Sequence, residues 1–134
     1  MVTETVVKEY LSNEMISSGE KLTRLLDKNK FPVSASLWFF LTDSNGWRII
    51  IASPEVRTNG VRAAYKRVQQ IISKSVSDGP RIQLKDITLV GPSDPLISLL
   101  KVALKTDKGI SGTRFSKNMI NGVLIEDAFI YRLT

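Results

Sequence analysis

Apolar and polar positions along the chain change period several times, and each change marks an element. From Thr3 to about Lys28, Val7, Leu11, Met15, Leu22, Leu25 and Leu26 recur near helical spacing, with Thr3 placed to cap the start. Gly19 and the serines before it weaken the middle of this helix, where a bend is expected, and Pro32 ends it. The period then shortens. VSASLWFFLT and WRIIIAS are β-branched and aromatic runs separated by Asp43-Ser44-Asn45-Gly46, a strong hairpin signal. A two-residue turn at Asn45-Gly46 sets Asp43 opposite Arg48 and Phe40 opposite Ile51. Neither surface of that hairpin is polar, so both need cover from helices or from another subunit.

Val61, Ala64, Tyr65, Val68, Ile71 and Ile72 form the stripe of a second helix from about Gly60 to Val76. Ile82 to Val90 reads as a strand with its core at Ile87 to Val90. Asp94 and Pro95 supply a cap and a first helical residue for a third helix, Leu96 to Thr106, which Gly109 is placed to stop. Asn121-Gly122 then divides TRFSKNMI from VLIEDAFIYRL, a second hairpin. The order α-ββ-α-β-α-ββ predicts an α+β (mixed α/β) domain spanning residues 1–134, with one mixed five-stranded sheet and three helices. If the helices after the second and third strands join parallel neighbours, right-handed crossovers put both on one face and leave the first helix to shield the other.

Composition narrows the chemistry. The 134 residues are 43% hydrophobic and 24% charged, with neither cysteine nor histidine. Disulfides, thiolate nucleophiles, histidine bases and histidine or cysteine metal sites are therefore excluded. The start of the chain lacks the basic and apolar regions of a secretory signal, and no window reaches the roughly 18 apolar residues of a membrane span. The expectation is a cytoplasmic protein with no membrane partner, no metal and no cofactor.

Among reactive-looking groups, Glu126 and Asp127 are adjacent on a strand and diverge to opposite faces. An Asn121-Gly122 turn pairs Lys117 with Glu126 across the hairpin. Asp127 shares the parity of Ile125, Phe129 and Tyr131 and needs a partner such as Ser116 or Arg114. With Arg114 and Lys117 it forms the one candidate catalytic group. The net charge of +6 is uneven: residues 1–30 balance five basic against five acidic groups, whereas Arg48 to Arg81 holds seven basic against two acidic. Arg57, Arg62, Lys66, Arg67 and Lys74 are thus the candidates for nucleic-acid contact. Trp38, Phe40, Ile49 and Ile51 share one strand face and are the candidates for a self-association interface. The leading functional expectation is a noncatalytic intracellular interaction module that homodimerises. A basic nucleic-acid-binding accessory protein using the helix from Arg62 to Lys74 comes second, and a small enzyme with its acid at Asp127 third.

Overall fold

Ser12 accepts a hydrogen bond from the Met15 amide and caps α1 (Asn13–Lys28), so the first helix begins well after Thr3. Thr3 itself lies outside the residues that the computed structural model describes, 9–75 and 79–134. The remaining elements are β1 (Ala35–Leu41), β2 (Gly46–Ala52), a short α2 (Glu55–Asn59), α3 (Val61–Ser73), β3 (Ile87–Val90), α4 (Pro95–Ala103), β4 (Thr113–Ile120) and β5 (Val123–Leu133). Asp94 caps α4 by accepting from the Leu96 amide, with Pro95 in the first turn as its fixed φ favours. Gly109 is not the stop for this helix, which already ends at Ala103; the chain after it turns back and pairs Thr106 with Leu133. Val76, the expected end of α3, falls outside the described residues.

The sheet has the order β3-β2-β1-β5-β4, with β2 and β3 as the parallel pair and the other neighbours antiparallel. This order moves the helices from their expected faces. β3 and β4 occupy opposite edges and are not parallel neighbours, so the premise for putting α3 and α4 together fails. Instead α1 and α3 pack side by side on one face and α4 covers the other. Among the described residues no helix is long and apolar enough to cross a membrane.

Both hairpins form, with different turns. Asn121 and Gly122 sit at φ 48° and 80° between Ile120 and Val123, the two-residue type I′ arrangement. In the first hairpin Leu41 pairs with Gly46, so residues 42–45 make a four-residue loop. Arg48 consequently lies opposite Phe39 instead of Asp43, and Phe40 opposite Trp47 instead of Ile51. The faces survive because each partner moves by an even number of residues.

Trp38, Phe40, Ile49 and Ile51 are all buried, beneath Leu22 and Leu26 of α1 and Val68 and Ile71 of α3. Their cover comes from the chain itself, and they present no face to a second subunit. On the other side Leu37, Ile50 and Ile130 pack against Ile97 and Leu100 of α4. A bulge in β5 shifts the pairing between Ser36 and Leu37. It lets two consecutive residues reach the α1 side: Tyr131 joins the core there and Arg132 forms a bidentate pair with Asp27 of α1.

Candidate functional site

Asp127 is buried and receives both arms of one guanidinium: Arg114 Nε donates to Oδ1 and Nη2 to Oδ2, each at 2.6 Å. Arg114 lies two residues from the direct cross-strand partner Ser116, on the diagonal, where its length suffices. Its outer part is exposed and its Cζ stands 5.6 Å from the Trp47 ring centroid. Hydrogen bonding to Asp127 raises the guanidinium above its already high pKa, against a smaller opposing effect of burial.

Lys117 does not join this pair. Its backbone is left-handed, φ 50°, which interrupts the ladder opposite Glu126, and among the described residues its side chain makes no hydrogen bond or ion pair. The expected Lys117–Glu126 bridge is absent for that reason. The same irregularity breaks strand alternation, so Ile125 packs with the α4 side while Phe129 and Tyr131 pack on the α1 side. Among the described residues no three carboxylates converge as metal ligands would.

The cations present a different picture. Arg62, Lys66, Arg67 and Lys74 are all exposed on α3, and Arg57 is exposed on α2. Only the C-terminal part of this set meets other basic groups. Arg67 Nη2 donates to the carbonyl of Asn29 at the end of α1, fixing that flank of α3 against α1. Beside it runs a groove of about 420 Å³ with Leu25 and Ile71 in its lining and Lys21, Arg24, Lys28 and Lys74 along its walls. Arg62 lies at the other end of α3, about 18 Å along its axis from Lys74 at 1.5 Å per residue, and Arg57 precedes it on α2.

The α1 half of this groove escaped the composition argument because residues 1–30 are neutral in sum. Their arrangement is not neutral. Lys21, Arg24 and Lys28 stand at i, i+3 and i+7 on one helical face, while Glu20 and Asp27, seven apart, share a neighbouring face. Asp27 is held by Arg132, and Glu20 reaches Arg24 only at 3.8 Å in an exposed pair, a weak contact. The spacing was readable; averaging over thirty residues concealed it.

No family model, curated protein or solved structure matches the chain.

Proposed function

We propose that the protein is a binding module that docks a nucleic-acid phosphate backbone along the groove between α1 and α3. One observation carries this reading: four exposed cations, Lys21, Arg24, Lys28 and Lys74, line a single groove, and a fifth, Arg67, is bonded to the carbonyl of Asn29 in its wall. Cations on neighbouring helix faces repel one another, and a polyanion relieves that repulsion while releasing its own counterions. Among the described residues no aromatic side chain lines the groove, which favours contact with phosphates over base stacking. Recognition of this kind positions the partner without reading its sequence.

Fluorescence anisotropy with a labelled duplex of arbitrary sequence, over a range of salt concentrations, tests the proposal. Each neutralised phosphate contributes about −0.9 to the slope of log K against log salt, so five contacts give a slope of about −4 to −5. Changing Lys21, Lys28 and Lys74 together to Gln should flatten it by about 3 × 0.9. Absence of wild-type binding at low salt, or identical binding by the variant, would overturn the assignment.

A second reading, self-association, is favoured by the tip of the β4–β5 hairpin, where Met119, Val123 and Leu124 are exposed to 66%, 48% and 55%. Such clustering of apolar side chains is unusual on a monomer. Light scattering of wild type and of a Met119→Lys, Leu124→Lys variant tests it; a monomeric wild type removes it.

A further inference from the structure

The groove between α1 and α3 has an apolar part that contact with phosphates leaves unused. Half-buried Leu25 and Pro80 and the buried Ile71 belong to its lining. The uncharged polar groups beside them already have partners: Asn29 Nδ2 donates to Leu25 O at 2.8 Å and Ser75 Oγ to Ile72 O at 2.6 Å. The cations do not. Among the described residues the side chains of Lys21, Lys28 and Lys74 make no hydrogen bond or ion pair, and Arg24 has only Glu20, at 3.8 Å. No carboxylate lines the groove among those residues either.

Helix ends account for part of this charge. Lys28 stands in the last turn of α1 and Lys74 caps α3, where cations suit the exposed carbonyls. Arg24 and Lys21 lie about one and two turns further back on α1, where the dipole gives no such reason. What the groove offers a guest is therefore apolar surface, extended by the lysine stems, under unpaired positive charge.

We infer that this groove binds a small amphiphilic anion, a carboxylate on an unbranched alkyl chain, with the chain along Leu25 and Pro80 and the head held by the surrounding cations. The volume of about 420 Å³ falls within the range of about 300–1,000 Å³ that ligand sites occupy. A compact inorganic anion would leave the apolar lining wet, and a neutral chain would leave the cations without a counter-charge. The inference goes beyond the nucleic-acid reading and does not depend on it.

Isothermal titration calorimetry of the full chain with sodium octanoate, at ionic strength held constant with sodium chloride, should show one saturable site. Affinity should rise about two- to fourfold per methylene from butanoate through hexanoate to octanoate, as each group leaves water. Octanol, which lacks the charge, should bind about tenfold more weakly or worse. Lys28→Gln with Lys74→Gln should weaken octanoate about fivefold or more. Lys101→Gln with Lys105→Gln lowers the net charge equally at residues outside the lining and should match wild type. Circular dichroism identifies any variant that fails to fold, and the chain-length series and the octanol comparison on wild type stand without variants. Absence of saturable octanoate binding, an affinity indifferent to chain length, an equal affinity for octanol, or equal losses in the two folded double variants would each defeat the inference. No nucleic acid enters this titration, so its failure and a failure of duplex binding are separate results.

Discussion

Gly19 shows how one residue's apparent weakness can be a packing requirement. In mid-helix, glycine costs about 1 kcal/mol relative to alanine, which is why a bend was expected there. Yet α1 runs through it unbroken. A Cβ at this position would overlap Tyr131 Oη and come within 2.7 Å of Trp38 Nε1, so the missing side chain is what lets α1 approach the sheet. Gly19→Ala should destabilise the protein by about 1–2 kcal/mol in urea unfolding, the clash outweighing the gain in propensity. A stabilised variant would show that the contact relaxes freely. The partner in this contact also sets a pH limit. Tyr131 Oη donates to Ile16 O at 2.5 Å from a buried position, and burial pushes the phenol's pKa well above its usual value, with a smaller opposing effect from Trp38. Above about pH 10 the unfolded chain releases this proton while the folded chain keeps it. The folded state then binds more protons, so stability is full below pH 10 and falls as pH rises, by up to about 1.4 kcal/mol per unit. Urea midpoints between pH 8 and 11 should show the decline, and Tyr131→Phe should flatten it.

At the scale of elements, the order of the five strands and the three longer helices was legible because hydrophobic period and turn residues act locally, whereas the five-residue α2 is too short to show a period and was not expected. Asp94, Pro95, Asn121 and Gly122 serve the ends or turns read for them, while the cap of α1 is Ser12 and the expected cap Thr3 lies outside the described residues. Strand order was not legible, since it depends on which edges meet over long sequence separations. That is why α4 moved to the face opposite α3 and why the four apolar hairpin residues proved to be core. The groove had a local signal in α1, but its assembly with α3 needed the tertiary fold. Backbone strain inside β4 was also hidden: nothing about Lys117 announces a left-handed residue in mid-strand. Its position on an edge strand suggests a use, because a charged residue in a broken ladder discourages pairing with another sheet. Gly122→Val should cost about 1–3 kcal/mol, as a β-branched residue resists the positive φ that Gly122 holds. Lys117→Gly should instead be neutral or stabilising by up to about 1 kcal/mol, since strain of about 1–2 kcal/mol is relieved against glycine's added chain entropy. Urea unfolding of the pair separates turn from bulge; equal losses in both would mean that the Lys117 side chain itself contributes stability.

Across the whole molecule, the acids are more committed than the cations. Asp127 and Asp27 are engaged bidentately by Arg114 and Arg132, pairs anchored in the sheet, while the cations along α1 and α3 stay at the surface. A net charge of +6 therefore raises a general objection to the groove: any basic protein attracts a polyanion to some degree. Two variants of equal charge answer it. Lys21, Lys28 and Lys74 changed to Gln leave +3, from 6 − 3, and so do Lys101, Lys105 and Lys108 changed to Gln. In the second set Lys101 lies on α4, across the sheet from α1 and α3, Lys105 follows it, and Lys108 lines a different hollow, with Asp27 and Arg132. Nonspecific attraction depends on the total, so it predicts matched losses of affinity. Docking in the groove predicts that only the first variant loses about three counterions from its salt slope, because contacts within a Debye length of about 8–10 Å dominate near physiological salt. Parallel anisotropy titrations from low to physiological salt distinguish the outcomes. Matched slopes in the two variants would reduce the groove to one part of a diffusely basic surface, whereas a loss confined to the first would assign the contact to α1 and α3.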